Sequence, residues 1–230
     1  MPTAQVSLTI DDAHVRAAKG SSVLEAALQY GICIPSLCHV PGLTPNGVCR
    51  LCIVEVVEGD RARVTTSCTL EAEEAMVIRA NSERIQRLRR GIAELLVAEV
   101  PNSKAIQDLA VRCGVREVRY PFHNGECVMC GRCVRVCSET MQVGALGLVG
   151  RGEQRRVDFP SGRRPKSCKR CRMCTYVCPM TIPPCGGTME PGRERLCGTC
   201  EAQLSMVELM PGTCIHCELG RGFQCARHAT

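Results

Sequence analysis

The sequence predicts an α+β fold made of several small units that bound metal helps to hold together. Three observations lead to this prediction. Short strand patterns precede helical ones in the N-terminal part, and the 230-residue chain contains 20 cysteines. Trp is absent, while Phe and Tyr number three each. Cores with so few aromatic side chains must rest on aliphatic residues or on metal centres.

Residues 1–80 are predicted to form the first α+β unit. Apolar and polar residues alternate from 6 to 10, as in a half-buried strand. A capping box at 22–25 opens a short helix, which Gly31 can end. Further strands are predicted around 14–17, 52–57 and 75–78.

A long amphipathic helix is predicted from Asn81, its N-cap, to Val100, and Pro101 ends it. Its apolar face is predicted to consist of Ile85, Leu88, Ile92, Leu95 and Leu96. Arginines at 84, 87, 89 and 90 crowd the helix start, against the preference of the helix dipole, so we expect a structural or partner charge to offset them. Residues 81–118 are predicted to be a helical linker, with a short helix near 105–111.

The most specific pattern is a cysteine motif that occurs twice within residues 119–186. The motif C-x2-C-x2-C-x3-C is formed first by Cys127, Cys130, Cys133 and Cys137, then by Cys168, Cys171, Cys174 and Cys178. Three thiolates at this spacing can bind one [4Fe–4S] cluster, while the fourth cysteine binds the other cluster. We therefore predict crossed ligation, in which Cys178 completes the first set and Cys137 the second. Zinc or disulfides on all eight cysteines are the alternative, which two complete motifs disfavour.

A second cysteine group lies in the first unit and consists of Cys38, Cys49, Cys52 and Cys68. Cys33 and Cys38 would begin the plant-type pattern C-x4-C-x2-C, but Pro41 stands where the next cysteine should be. Cys33 is therefore predicted to be a buried apolar thiol. His39 could be a ligand, but four cysteines suffice, so a hydrogen-bonding or surface role is predicted for it.

Three stretches carry a resemblance to a known family: GICIPSLCHVPGLTPNGVCRLCIVEV, CVMCGRCVRVCSETMQVGALGLVGRG and CKRCRMCTYVCP. They resemble the N-terminal cluster region of the large iron–sulfur subunit of respiratory complex I. They are equally similar to the accessory region of [FeFe] hydrogenases and to related diaphorase and formate-dehydrogenase subunits. Over residues 1–185, roughly, the resemblance implies a β-grasp [2Fe–2S] ferredoxin domain on the Cys38 group, then a bacterial 2[4Fe–4S] ferredoxin-like domain over 119–186. It also implies a flavoprotein partner that oxidises NAD(P)H.

The chain departs from this family at one site. Members usually carry a His-x3-Cys-x2-Cys-x5-Cys motif after the long helix, whereas this chain has VPNSKAIQDLAVRCGV, with Cys113 alone. We predict that the corresponding cluster is absent, that Cys113 is a core thiol, and that His123 is structural.

Residues 187–230 are predicted to be a small metal-stabilised tail. Two C-x2-C pairs, Cys197 with Cys200 and Cys214 with Cys217, fit a tetrahedral zinc site. A further [4Fe–4S] cluster that uses Cys185 or Cys225 is the alternative. Because the segment is mostly polar, it could hardly fold without a metal.

Charge and composition restrict the class of partner. The formal charge of +6 would usually suggest nucleic acid. Each oxidised cluster with four thiolates carries roughly −2, however, so three clusters bring the total close to zero. Few aromatic residues are available for base stacking, so no nucleic-acid partner is predicted. The N-terminus lacks the basic flank and apolar stretch of a signal peptide, and no apolar run approaches transmembrane length. A cytoplasmic protein without membrane insertion is predicted, and export with a signal-bearing partner is the alternative.

No catalytic constellation stands out in the sequence. It has no Ser/His/Asp set and no paired-carboxylate pattern, and the glycine-rich stretch 144–152 predicts a structural turn rather than a phosphate-binding loop. We therefore predict a non-catalytic subunit that passes electrons between an NAD(P)H-linked flavoprotein and a catalytic partner such as a hydrogenase, a formate dehydrogenase or another reductase. A free-standing polyferredoxin is one alternative, and a zinc- or Fe–S-dependent regulatory protein is another.

Overall fold

The structure is a computed structural model that describes residues 4–123, 125–168 and 170–180. By their contacts these residues form two compact units. The first unit comprises 4–39, 45–101 and 109–123, and the second comprises 40–44, 102–108 and the described residues after 124. The predicted tail ligands Cys197, Cys200, Cys214 and Cys217 lie outside the described residues. Within the described ranges, no helix is long and apolar enough to cross a membrane.

A five-stranded mixed sheet forms the framework of the first unit. Its strands are β1 (Gln5–Ile10), β2 (Ala13–Ala18), β3 (Ile53–Glu58), β4 (Arg61–Thr66) and β5 (Val77–Arg79). They lie in the order β2-β1-β5-β3-β4, with β1 and β5 parallel and the other neighbours antiparallel. The predicted combination of helices and strands is confirmed, and β4 is a strand that the sequence pattern missed.

The first helix, α1 (Val23–Gln29), begins at the predicted capping box. Ser22 Oγ accepts a hydrogen bond from the Glu25 N–H (3.2 Å), and the Glu25 carboxylate accepts one from the Ser22 N–H (2.9 Å). These reciprocal bonds satisfy two donors that the helix start would otherwise leave unpaired. Val23 and Leu24 are fully buried and join the apolar side chains of β1, β2 and β3 in one core.

The long helix, α2 (Glu83–Glu99), begins one residue later than predicted, with Ser82 as its N-cap. Its predicted apolar face is partly wrong. Leu88 and Leu95 are exposed. The buried positions follow spacings of three to four residues and are Ile85, Arg89, Ala93, Glu94, Val97 and Ala98. The prediction failed at Leu88 and Leu95 because two alanines and two charged side chains, Arg89 and Glu94, lie on the buried face beside Ile85 and Val97.

An ion pair between a buried glutamate and a largely exposed arginine joins the chain after α3 (Lys104–Arg112) to α2. The Glu94 side chain is only 3% exposed, and its Oε2 lies 2.7 Å from Arg119 Nη2. The Arg119 N–H also donates to Glu94 Oε1 (2.6 Å). The hydrogen bonds from the Arg119 guanidinium, and to a smaller extent the one from its backbone N–H, hold the pKa of Glu94 below its ordinary value.

Replacing Arg119 with glutamine should lower the thermal midpoint of unfolding by a few degrees at about pH 7. A lowered carboxyl pKa means that the ion pair contributes fully above the ordinary glutamate pKa of about 4.3, and that its contribution disappears as the pH falls through the folded-state pKa. The difference in thermal midpoint between Arg119→Gln and the unmodified protein should therefore become smaller at acidic pH. Circular dichroism melts across this pH range test the effect, with Arg116→Gln as the control.

Arg116 is a suitable control because it is exposed and forms no ion pair with any residue that the structure describes. A deficit for Arg119→Gln that stayed constant from neutral to acidic pH would contradict the electrostatic explanation.

The second unit combines short helices with a small hairpin. Its helices are α4 (Arg132–Arg135), which continues into a π-helical turn (Val136–Thr140), and α5 (Met173–Tyr176). Its core contains Val40, Leu43, Val136, Met173 and Val177. Strands β6 (Gly147–Val149) and β7 (Arg156–Asp158) pair antiparallel. Gly150, between them, has a φ of 79°, and a Cβ there would collide with the Gln154 carbonyl oxygen. The glycine-rich stretch is therefore a structural turn, as predicted.

Candidate iron–sulfur sites

The β3–β4 hairpin positions two of the predicted ligands, Cys52 and Cys68. Ile53 pairs with Thr66, which places the residues just outside the hairpin, Cys52 and Ser67, opposite each other. The Ser67 N–H and Oγ–H both donate to the Cys52 carbonyl oxygen at 2.8 Å. The fifteen residues between the two cysteines are thus one hairpin with its turn, and both cysteines are almost completely buried.

A long loop supplies the other two cysteines of this group, Cys38 and Cys49. The Cys38 N–H donates to Cys49 Sγ at 3.4 Å. Arg50, inside the C-x2-C segment, has a φ of 57°, and Gly47 has a φ of 60°. A non-glycine residue in the left-handed region is uncommon, and such strain tends to occur at functional sites.

The four thiols strongly shift one another's pKa values. A hydrogen bond with the Cys38 thiol, followed by burial, raises the pKa of Cys49. Hydrogen bonds with the thiols of Cys38 and Cys52 raise the pKa of Cys68. The Cys52 pKa falls to about 7, chiefly because the Cys68 thiol donates to it. Four thiols this close in a buried site cannot all ionise unless cations compensate their charge.

This donor set fits a cluster with two irons. The sulfurs interact in the pairs Cys38 with Cys49, Cys38 with Cys68 and Cys52 with Cys68. A chain of pairwise contacts suits a cluster that spreads its ligands over two metal ions and two sulfides.

The cysteines and histidines outside the predicted ligand sets have varied environments. Cys33 is exposed, so its predicted role as a buried thiol is wrong. His39 is only 5% exposed, which excludes the surface role. Cys113 is half-buried, and burial raises its pKa, as expected of a thiol at the edge of the core. Ser67 was not predicted, although it precedes a candidate ligand in the sequence.

In the second unit, the structure brings together the first predicted set: Cys127, Cys130, Cys133 and Cys178. Burial, followed by the neighbouring thiols of Cys130, Cys178 and Cys127, raises the pKa of Cys133 to about 12. Burial and the thiols of Cys178 and Cys127 raise the pKa of Cys130. Cys178, from the second motif, therefore lies beside the first motif. The roles of these cysteines as ligands stay a prediction.

The two cysteine motifs share one backbone conformation. In the first, Met129 and Gly131 have φ values of 53° and 71°. In the second, Arg170 and Arg172 have φ values of 58° and 62°. Each motif then continues directly into a one-turn helix, α4 or α5. The same left-handed residues on either side of the second cysteine show that both loops are shaped alike.

Backbone N–H groups donate hydrogen bonds to the sulfurs of the first and last cysteines of the first motif. The Met129 N–H donates to Cys127 Sγ, and the Ala145 N–H donates to Cys137 Sγ, each at 3.3 Å. Hydrogen bonds of this kind stabilise thiolates and tune bound clusters. The grouping of Cys137 with Cys168, Cys171 and Cys174 stays a prediction.

Residues 3–83 match the model of the 2Fe-2S iron-sulfur cluster binding domain family. The chain is 30% identical over 199 residues to NADPH-Fe(3+) oxidoreductase subunit alpha of Geobacter sulfurreducens, a match that covers 76% of this chain and 23% of that protein. It is 32% identical to NADP-reducing hydrogenase subunit HndD of Solidesulfovibrio fructosivorans, over 76% of this chain and 35% of that protein. It is also 29% identical to the NADH-ubiquinone oxidoreductase 75 kDa subunit of Reclinomonas americana, over 66% of this chain and 25% of that protein.

The fold is similar to a solved structure as well. The crystal structure of NAD+-reducing [NiFe]-hydrogenase in the H2-reduced state aligns with a TM-score of 0.62 and 31% sequence identity, over 70% of this chain and 78% of that chain. The predicted [2Fe–2S] ferredoxin-like domain is thereby confirmed, while the chain spans only 23% of the first curated relative. The chain belongs to the family of iron–sulfur subunits that includes the 75 kDa subunit of NADH-ubiquinone oxidoreductase and the iron–sulfur subunits of NAD(P)-linked hydrogenases.

Proposed function

We propose that the chain is an iron–sulfur electron-transfer subunit of a cytoplasmic multi-subunit oxidoreductase. It would pass electrons between an NAD(P)H-oxidising flavoprotein subunit and a catalytic partner, such as a hydrogenase, a formate dehydrogenase or another reductase. The observation that carries this proposal is the convergence of four cysteines, three buried and Cys49 half-buried, inside the domain that matches a [2Fe–2S] family. The names of the relatives, which are NAD(P)H-linked oxidoreductase and hydrogenase subunits, support the choice of partners.

Cys38, Cys49, Cys52 and Cys68 would hold the [2Fe–2S] cluster in a β-grasp domain. A cluster bound there supplies one-electron redox chemistry. The chain's own residues prepare the site. The Ser67 side chain lowers the pKa of Cys52, the Cys38 N–H donates to Cys49 Sγ, and burial of Cys38, Cys52 and Cys68 excludes water. The two hydrogen bonds favour the thiolate forms, whereas burial opposes them until a bound metal ion compensates their charge.

The second unit would hold two [4Fe–4S] clusters in a bacterial ferredoxin-like domain. The proposed sets are Cys127, Cys130, Cys133 and Cys178 for one cluster, and Cys168, Cys171, Cys174 and Cys137 for the other. The shared loop conformation of the two motifs and the position of Cys178 beside the first motif support this assignment. The domain boundaries 1–80, 81–118, 119–186 and 187–230, and a tail zinc or cluster on Cys197, Cys200, Cys214 and Cys217, belong to the same proposal.

Metal analysis of the full chain, prepared without oxygen, tests this function. We expect about ten irons and ten acid-labile sulfides per chain, apart from any tail metal. The reduced protein should give one [2Fe–2S] signal in electron paramagnetic resonance and magnetically coupled [4Fe–4S] signals. Several zincs with almost no iron would overturn the electron-transfer function in favour of a regulatory protein.

Purification from native cells separates a subunit from a free carrier. A tagged chain should bring a flavoprotein with it at stoichiometric amounts. Elution of the iron-loaded chain alone would contradict the subunit role and favour a polyferredoxin.

A further inference from the structure

Arg89 places a guanidinium group in the interior of the first unit. The residue is 4% exposed and lies on the buried face of α2, between Ile85 and Ala93. Its Nε donates to the Leu51 carbonyl oxygen (3.0 Å), and its Nη2 donates to the Ile53 carbonyl oxygen (2.7 Å). These two carbonyl groups belong to the residues immediately before and after Cys52. Arg89 therefore forms hydrogen bonds with the backbone on both sides of a proposed cluster ligand.

Among the residues that the structure describes, the positive charge of Arg89 has no direct ion-pair partner. Within the described ranges, no carboxylate oxygen lies within 4 Å of its guanidinium. Its remaining hydrogen bond, at 3.5 Å, goes to the neutral Asn81 Oδ1. The Asp11 carboxylate accepts from the Ala80 N–H (2.7 Å) and from the Asn81 side-chain amide (3.1 Å). Asn81 thus links the Asp11 carboxylate to Arg89 by hydrogen bonds, and the carboxylate also acts on Arg89 electrostatically without direct contact.

A buried cation of this kind is unfavourable unless a negative charge lies nearby. Burial lowers the pKa of Arg89, whereas Cys113, Cys52, Asp11 and Cys33 oppose that shift, in this order of size. Cys52 is the one proposed cluster ligand among these groups. A [2Fe–2S] cluster with four thiolates carries roughly −2 when oxidised, so it would supply the missing negative charge on this side of the core.

We propose that Arg89 is a positioning residue that compensates the charge of the [2Fe–2S] cluster and raises its reduction potential. This inference rests on the [2Fe–2S] site of the proposed function. One-electron reduction takes the cluster from roughly −2 to −3, with the electron supplied by an external reductant and no ligand bond broken. A fixed cation stabilises the more negative state more strongly, and burial keeps water and salt from screening the effect.

The competing explanation is that Arg89 only ties α2 to β3 through its two hydrogen bonds. Two substitutions separate the explanations. Arg89→Lys keeps the charge but loses the forked geometry, whereas Arg89→Gln keeps a donor and an acceptor but loses the charge. Arg87→Gln is the matched control, because Arg87 is an exposed residue of the same helix that forms no ion pair with the residues described.

Redox titration of the full iron-loaded chain with dithionite and mediators, followed by electron paramagnetic resonance, decides between them. At the midpoint potential of the unmodified protein, Arg89→Gln should lower the ratio of reduced to oxidised [2Fe–2S] cluster about tenfold, a shift of about 59 mV for one electron. Arg89→Lys should stay close to the unmodified protein, and Arg87→Gln should match it. Equal midpoints for Arg89→Gln and Arg89→Lys would overturn the inference.

Two further outcomes are informative. If Arg89→Gln fails to retain the cluster, the iron content of Arg89→Lys decides between the two explanations. Retention of the cluster in Arg89→Lys would support charge compensation, whereas loss of the cluster in both variants would overturn the inference. If the unmodified chain gives no [2Fe–2S] signal, the proposed function fails. A normal signal that is insensitive to position 89 rejects the inference alone.

Discussion

Replacing Cys178 with alanine should destroy the [4Fe–4S] cluster of the first motif, although Cys178 belongs to the second. The reason is that its thiol lies beside those of Cys130 and Cys133, whose pKa values it helps to raise. The iron content should fall by about four per chain, and the magnetic coupling in the reduced protein should disappear because one partner of the coupled pair is gone.

Double substitutions test whether the ligation is crossed. If Cys178 and Cys133 bind the same cluster, removing both should cost about four irons, the same as either alone. Removing Cys178 together with Cys174 should cost about eight, because two clusters are then affected. A loss of about eight irons without Cys178 and Cys133, and of about four without Cys178 and Cys174, would show that each motif binds its own cluster. That result would reject the crossed assignment.

Replacing Cys68 with alanine should abolish the [2Fe–2S] cluster. Cys68 interacts with both Cys38 and Cys52, so its loss interrupts the chain of contacts that joins the four thiols. About two irons per chain should be lost, together with the [2Fe–2S] resonance, while the [4Fe–4S] signals should remain. Iron analysis and electron paramagnetic resonance of the reduced protein measure both effects.

The matched control is Cys33→Ala, which removes an exposed cysteine from the same unit. This variant should retain all three clusters. Loss of the [2Fe–2S] signal in Cys33→Ala, with retention in Cys68→Ala, would instead favour a ligand set that includes Cys33.

The sequence predicted four of the five strands of the main sheet, and it missed β4. The segment Arg61–Thr66 begins with three exposed residues, two of them arginines, so its alternation is weak. A signal was nevertheless present. Gly59 and Asp60 form a two-residue connection between β3 and β4, which is typical of a hairpin. Without this hairpin, the proximity of Cys52 and Cys68 has no structural explanation.

The buried face of α2 shows a different limit of sequence reasoning. Helical periodicity correctly predicted the helix and its approximate ends, because both depend on local spacing and capping. The orientation of the helix depends on the surface that it covers. Arg89 faces inward because the Leu51 and Ile53 carbonyl groups accept its hydrogen bonds, and the composition of α2 alone gives no sign of these acceptors.

The sequence by itself determined the mixed fold class and the two repeated cysteine motifs, because each depends on residues close together along the chain. Four cysteines within eleven residues can shape one loop wherever the rest of the chain lies. The motifs also predicted that Cys178 joins the first motif and that Cys52 and Cys68 share a site, and the tertiary structure shows how these distant residues meet. The β3–β4 register places Cys52 beside Cys68, the second unit places Cys178 beside the first motif, and α2 brings the charge of Arg89 to Cys52. The Arg89 contact is the one that only the tertiary structure decided, because it depends on how α2 packs across the fold, which spacing along the sequence does not encode.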